Sequence, residues 1–395
     1  MRLSKVARDL KPSATMAAAA RAAELKRSGI RVYDFGLGEP DFPTPEHICE
    51  AARKAIAAGR THYTPAAGIP ELKEAIARTY RETAGLPYQA NQVVVSNGAK
   101  HAVHNVLTAM VGPGDEVIIA APYWVSYSEK VQMTGAKAVV LPTREEDGFK
   151  LRPEQLRAAI NPNSRLLMIN SPCNPTGAVY SPEQLEALAD VVLTSELAVL
   201  SDEIYERLIF GSARQRSFAA LRPELVERTI TISGVSKSYA MTGWRIGWSV
   251  GPRDVIRAVG DIQSQETSNP CSISQYAALA ALEGDQTCVE QMRQEFKRRR
   301  QFVLQRLREI PDLSCAEPEG AFYVFINISR HLGRNLGGVA VIDSAKFCEV
   351  CLDQAHVGLV AGSAFGAEGY VRLSFAASMA DLEAGLERVA KLVAA

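Results

Sequence analysis

Lys237 and Arg245 stand eight positions apart in "SGVSKSYAMTGWRIGW" (233–248), among small hydroxyl residues, glycines and an apolar end framed by tryptophans. Two cations held close together in such surroundings repel unless something neutralises them. Either the stretch is a solvated loop, or an anion and a reactive carbonyl sit there. Other unusual polar residues fall at the ends of apolar runs. "VVVSNGAKH" ends in Ser96-Asn97-Gly98-Ala99 and opens a helix at Lys100, an arrangement that holds a phosphate on backbone N–H groups. "LLMINSPCNPTG" delivers Asn174, "AVLSDEIY" delivers Asp202 and Tyr205, and "ITISGVSK" delivers Ser236 and Lys237. Four segments thus bring a phosphate cup, an amide, a carboxylate with a phenol, and an amine.

Those segments are one part of a longer pattern. Apolar runs at 92–96, 115–122, 136–142, 164–172, 197–205, 228–236 and 245–251 read as strands, with amphipathic helices such as 100–111 and 181–195 between several of them. The runs are continuous rather than alternating, as expected of strands buried on both faces of a largely parallel sheet. In such sheets ligands lie at the carboxyl ends of the strands, where the residues above cluster. Around residue 285 the character changes. Residues 288–310 read as one long helix, followed by strands "AFYVFIN" and "YVRLSFA" among further helices. The expectation is an α/β fold: a large domain whose mostly parallel sheet is sandwiched by helices, plus a smaller α/β domain. The boundaries expected are 1–46 for an N-terminal arm and part of the small domain, 47–286 for the large domain and 287–395 for the small one. A chain of 395 residues is too long for one ordinary core.

Composition excludes several classes. Lys plus Arg equals Asp plus Glu at 44 each, so the basic excess needed for nucleic acid or an anionic membrane is missing. The "KRRR" run at 297–300 reads as a solvated helix face. Seven cysteines without regular spacing make no disulfide framework, and Cys348 and Cys351 read as part of a helix interior. No apolar signal core and no run of 18 apolar residues occurs, which leads us to expect a soluble, cytoplasmic protein. His101 and His104 read as partly buried structural groups.

A dinucleotide fits poorly, because "GLGEPD" (36–41) has Asp41 where the phosphate fingerprint needs its third glycine. The six histidines give no metal-ligand spacing. Pyridoxal 5'-phosphate fits the whole set: it needs a lysine to bond its aldehyde carbon, a carboxylate beside its ring nitrogen and a phosphate site. Lys237 supplies the first and Asp202 the second. Tyr205 and Asn174 are placed to hydrogen-bond the ring's phenolic oxygen. Arg245 clamps the phosphate together with the Gly98 and Ala99 amides and Ser236. The phosphate would then lie between the two cations of the opening stretch.

"SNGAKHA", "PYWVSY", "NSPCNPTG", "SDEIY", "SKSYAMTGWRIGW" and "YVRLSFA", in this order, resemble the fold-type I pyridoxal-phosphate aminotransferases of class I. The nearest likeness is to the bacterial subgroup of aspartate and prephenate aminotransferases, and it runs from "KPSAT" to "YVRLSFA". The resemblance implies further roles. Trp124 would stack on the pyridine ring, although core packing is the plainer reading of a tryptophan. Arg372 would fork onto the substrate α-carboxylate, to which Gly38 would also donate its N–H. Tyr63 would reach the phosphate of a partner subunit, implying a homodimer. Lys11 would read the distal carboxylate of a dicarboxylic substrate, with Thr15 helping to position that segment; the alternative is an exposed terminal lysine. Two positions depart from the pattern. Glu266 stands where a small hydroxyl residue is expected, with the prospect of weakening acidic-substrate binding, and Ala361 stands where proline is usual. The function implied is reversible, two-step transamination between aspartate or glutamate and their oxo acids, with prephenate a further candidate. An aminotransferase for aromatic or other neutral amino acids is the alternative, and an amino-acid-sensing module is the reading from another class.

Overall fold

The computed structural model describes residues 1–10 and 14–394; Lys11 and the side chain of Thr15 lie outside that description. All seven apolar runs between 92 and 251 contain strands: β1 (Val93–Ser96), β2 (Glu116–Ala121), β3 (Lys137–Pro142), β4 (Ser164–Asn170), β5 (Ala198–Asp202), β6 (Thr229–Gly234) and β7 (Gly247–Val250). They form one sheet in the order β1-β7-β6-β5-β4-β2-β3. Every pairing from β6 to β3 is parallel, while β7 runs antiparallel to both its neighbours. The reversal has a local cause. Parallel neighbours need a crossover of a dozen or more residues, usually helical. The segment Val235–Ile246 between β6 and β7 contains turns and no helix, and it turns straight back. That hairpin-like return carries both Lys237 and Arg245.

The continuous apolar runs are explained by burial on two faces. Ile118, Leu167, Ile169 and Val199 pack with Leu185, Leu188 and Val192 of the helix Pro182–Leu193. Their neighbours Val117, Ile119, Leu166, Met168 and Leu200 point the other way, onto Val103, Val106 and Leu107 of the helix Ala99–Met110 and Ile256 of the helix Arg253–Glu266. Ser181 caps its helix by accepting from the Gln184 N–H, and the Gln184 side chain accepts from the Ser181 N–H, so two orphan donors are satisfied at once. β3, at the sheet edge, has no fully buried residue.

The smaller domain is built on an antiparallel sheet in the order Val360–Ala361, Tyr370–Ser374, Tyr323–Asn327, Ser314–Cys315. The helices Thr287–Glu309 and Met379–Ala394 share a core with it through Phe296, Val303, Leu382 and Leu386. Tyr33–Asp34 pairs in parallel with Val357–Gly358, which draws the N-terminal segment into this layer. Cys348 lies in the helix Ser344–Val350 and Cys351 in the π-turn that continues it, both as free thiols.

The "KRRR" expectation fails for two of its four residues: Arg298 is exposed, as expected of a solvated face, but the next two are not. Arg299 and Arg300 are only 5% and 7% exposed. Arg299 pairs with Asp41 at 2.6 Å and Glu295 at 2.9 Å and lies over the Phe42 ring; Arg300 pairs with Glu317 at 2.6 Å. Asp41 and Phe42 come from a loop more than 250 positions earlier in the chain, so the helix's own charge rhythm carries no sign of them. Among the described residues no helix is long and apolar enough to cross a membrane.

Candidate active site

β4, β5 and β6 are parallel, so their carboxyl ends meet at one rim. Asp202 ends β5, Asn174 follows β4, and Ser236 and Lys237 follow β6. The helix Ala99–Met110 begins at the same rim, its first turn supplying Ala99 and Lys100. The smaller sheet brings Arg372 from Tyr370–Ser374, and the segment 36–39 closes the far side. Together these surround a cavity of about 360 Å³. Its lining includes Gly38, Ala99, Lys100, Trp124, Asn174, Asp202, Tyr205, Ser236, Lys237, Arg245 and Arg372, so eleven of the fourteen residues singled out from the sequence converge. Gly98 sits directly behind, as the residue preceding the helix. Tyr63 does not join them: it is 92% exposed and borders a separate open hollow with Asn269 and Cys271.

The electrostatics are set by burial. Asp202 is 4% exposed; its carboxylate accepts from the Tyr127 hydroxyl at 2.6 Å and from the Ile204 N–H at 3.2 Å. Burial still pushes it up to about 6, against the pull of those donors and of Lys237. The Lys237 Nζ donates to the Gly38 carbonyl at 2.6 Å. Burial lowers this amine to about 8; Glu39 opposes that, while Arg372 and Arg245 reinforce it. Tyr205 and Tyr323 join hydroxyls at 2.8 Å. Arg372 is 2% exposed, donating from Nη1 to Asn174 Oδ1 at 2.9 Å and from Nη2 to the Gly36 carbonyl at 2.5 Å. Among the described residues its Nε has no partner and no carboxylate pairs with it. An uncompensated buried guanidinium is costly, so the site is built to receive an anion there. Four cations line the cavity, Lys100, Lys237, Arg245 and Arg372, against two carboxylates, Glu39 and Asp202.

The cup at the helix start depends on glycine. Gly98 has φ 83° and ψ 161°, a backbone region open to little else. A Cβ there would stand 2.5 Å from Arg245 Nη2. Opposite, a Cβ on Gly247 would stand 2.3 Å from the Ala99 nitrogen, so its bare backbone lets β7 lie against the helix start. Arg245, in a left-handed conformation at φ 58°, donates to the Thr242 carbonyl at 2.8 Å and the Asn97 carbonyl at 3.3 Å. Gly98→Ala is therefore expected to displace the guanidinium and weaken binding of a phosphorylated ligand by about tenfold or more, as measured by equilibrium dialysis with pyridoxal phosphate. Unchanged affinity would remove the cup from this role.

Lys100 lies over the Trp124 ring at 5.0 Å, and Trp124 meets Tyr127 edge to face, so Trp124 both packs and lines the cavity. Tyr127, Asn170 and Tyr323 also line it, and none was singled out from the sequence. Tyr127 lies within the quoted "PYWVSY", but nothing local says that its hydroxyl meets Asp202. Asn170 donates to the Asp202 carbonyl and accepts from the Asn174 N–H, holding two strand ends together. Glu266 is not among the lining residues. It pairs instead with His101 and His104, which accounts for those half-buried histidines.

Comparison with known proteins bears on this geometry. Residues 30–389 match the family model of aminotransferase class I and II. An aspartate aminotransferase of Geobacillus stearothermophilus is 47% identical over 395 residues, covering all of both chains. An aspartate/prephenate aminotransferase of Cereibacter sphaeroides is 47% identical over 376 residues, 95% of this chain and 94% of that one. Among solved structures, the aspartate aminotransferase of Rhizobium meliloti superposes with a TM-score of 0.96 at 42% identity, covering 100% of this chain and 99% of that chain. The Thermus thermophilus aspartate aminotransferase with maleate gives 0.93 at 43% identity, covering 99% of this chain and 100% of that chain. With the strand-end cavity in place and the match running nearly end to end, this chain belongs to the class I and II aminotransferases.

Proposed function

We propose that this protein is a pyridoxal-phosphate-dependent aminotransferase that moves an amino group between aspartate or glutamate and the oxo acids 2-oxoglutarate and oxaloacetate, with prephenate a further candidate. The observation that carries the reading is one cavity holding a buried lysine amine, a buried carboxylate and a buried arginine that has no counter-ion among the described residues. The donor set fits the cofactor: a cation excess for its phosphate, Lys237 for its aldehyde and Asp202 for its ring nitrogen. When bound, pyridoxal phosphate supplies an aldehyde carbon that receives the amino group and a ring that draws electrons from the substrate α-carbon.

The protein's own residues do the rest. Arg372 takes the α-carboxylate in its fork, helped by the Gly38 N–H. That fixes which α-bond faces Lys237. With the cofactor bound, Lys237 Nζ would be the base that takes the substrate's α-proton and the acid that returns it. An amine lowered to about 8 is suited to both directions near neutral pH. The Asp202 carboxylate, oriented by the Tyr127 hydroxyl and the Ile204 N–H, would hold a proton on the ring nitrogen. Tyr205, Asn174 and Ser236 would hold the ring and phosphate, Trp124 would pack against the ring, and Lys100 would add positive charge beside the phosphate cup.

The dicarboxylate preference has its support in the relatives' names and in the maleate, itself a dicarboxylate, of the Thermus structure. Lys11→Ala is expected to cost about tenfold or more in kcat/KM for aspartate and far less for an aromatic amino acid. Equal losses would show that Lys11 does not read the distal carboxylate. A homodimer is part of the proposal: Tyr63, a large aromatic left 92% exposed, is available to a second subunit's phosphate. We place the domain boundaries near 46 and 286. A stopped-flow panel of amino donors and oxo acids, following interconversion of the cofactor's aldehyde and amine forms, tests the whole reading. Rapid conversion by aspartate and glutamate is expected; conversion by neutral amino acids alone would favour the alternative specificity.

A further inference from the structure

The two histidines on the helix Ala99–Met110 and the carboxylate of Glu266 form a bridge behind the phosphate cup. His101 Nδ1 accepts the Asn97 N–H at 3.3 Å, and its Nε2 meets Glu266 Oε2 at 3.3 Å. His104 Nε2 meets the other carboxylate oxygen at 3.2 Å. Asn97 is held on two further sides: its side-chain amide donates to Thr267 Oγ1 at 3.1 Å, and its carbonyl accepts from Arg245 Nη2. Asn97 immediately precedes Gly98, so its placement sets the direction of the cup's amides.

We propose that Glu266 and His101 are positioning residues for the cofactor phosphate: Glu266 fixes the ring proton of His101 on Nε2, leaving Nδ1 free to accept the Asn97 N–H and hold the cup in its binding shape. The proposal rests on the reading of Gly98 and Ala99 as the phosphate site. The tautomer follows from chemistry. A backbone N–H can only donate, so Nδ1 must carry a lone pair; in the neutral ring the single proton then sits on Nε2, facing the carboxylate. Without Glu266 the ring is free to move its proton to Nδ1, where two donors would face each other. Full protonation of the ring has the same effect.

The groups facing His101 are Glu266 from the helix Arg253–Glu266, Lys130 from the helix Ser126–Met133, and His104 on its own helix. Lys100, also on that helix, faces Lys130. Burial keeps His101 below its ordinary 6.5, with the Glu266 hydrogen bond opposing. The acceptor is therefore present above that range and is lost as pH falls through the folded value.

The test measures binding of pyridoxal phosphate, and of pyridoxal lacking the phosphate, to the cofactor-free protein by equilibrium dialysis at about pH 8 and about pH 5.5. Glu266→Ala is expected to weaken pyridoxal phosphate about fivefold at the higher pH while leaving pyridoxal unchanged. Glu266→Gln, whose amide oxygen still accepts one Nε2–H, should recover part of that loss. His101→Gln keeps an uncharged acceptor that does not titrate, so its affinity should fall less on acidification than that of the unmodified protein. Losses shared equally by both ligands, no loss in Glu266→Ala, or an unaltered acid dependence in His101→Gln would each overturn the proposal. Borohydride trapping on the unmodified protein separates the two levels. A label at Lys237 with indifferent variants sinks only this inference, whereas absence of any label sinks the cofactor reading beneath it as well.

Discussion

Lys237→Ala is expected to lower the turnover of aspartate by at least about 10⁴-fold and to abolish the yellow colour of lysine-bound pyridoxal near neutral pH. Two losses combine. The proposed covalent anchor goes, and so does the amine that, among the described lining residues, is placed to carry a proton to and from the substrate. Lys100, the other lysine of the lining, cannot substitute, because its ammonium lies over the Trp124 ring on the cup side. Stability should change in the opposite direction. Burial lowers Lys237 from 10.5 to about 8, so between those values the unfolded chain binds the proton that the fold rejects. Its contribution to stability is therefore fully present above the upper value and is lost as pH falls through about 8. Removing the side chain should make the cofactor-free protein more stable near neutral pH, as read from its thermal midpoint. An inactive variant that unfolds earlier would mean that Lys237 is structural. A variant that keeps the yellow band would place the covalent link elsewhere.

Asp202→Ala is expected to cost at least about 10³-fold in the rate of the first half-reaction with aspartate, measured in single turnover on protein loaded with the cofactor. The magnitude comes from preorganisation. Tyr127 and the Ile204 N–H fix this carboxylate in a buried position before any ligand arrives, while Asn170 holds the Asp202 backbone carbonyl. Burial holds it up to about 6 despite the pull of Lys237, so a ring nitrogen that carries a proton would be a favourable partner for a carboxylate whose charge is costly there. Near-normal rates in the variant would refute the role. A second readout separates chemistry from folding: the nitrogen-15 shift of the bound ring should move from protonated toward unprotonated.

These expectations draw on what the sequence supplied unevenly. Strand-end residues were legible because a buried parallel strand is a continuous apolar run, and the residue that ends it marks the rim. Asp202, Lys237 and Asn174 were therefore locatable before any coordinates, as was the glycine at the helix start. Arg372 needed the family resemblance, since an arginine inside a strand gives no local sign of facing a cavity. Tyr127 and Tyr323 were missed because a tyrosine in an apolar setting reads as core, and only the partner across space turns its hydroxyl into part of the site. The error at Arg299 and Arg300 has the same origin. A run of cations on a helix reads as solvated unless distant acids arrive to pair with it, and here Asp41 and Glu317 do.

Glu266 shows the division most clearly. By itself the sequence determined that a carboxylate stands where a small hydroxyl residue is expected, and the direction of that departure pointed toward the substrate. Only the tertiary structure decided that the charge turns away, onto two histidines 162 and 165 positions earlier in the chain. Residue type and strand periodicity are local properties, fixed by covalent order and by the need to bury apolar surface. Which polar groups meet depends on how separate elements dock, and that is settled by packing over the whole chain.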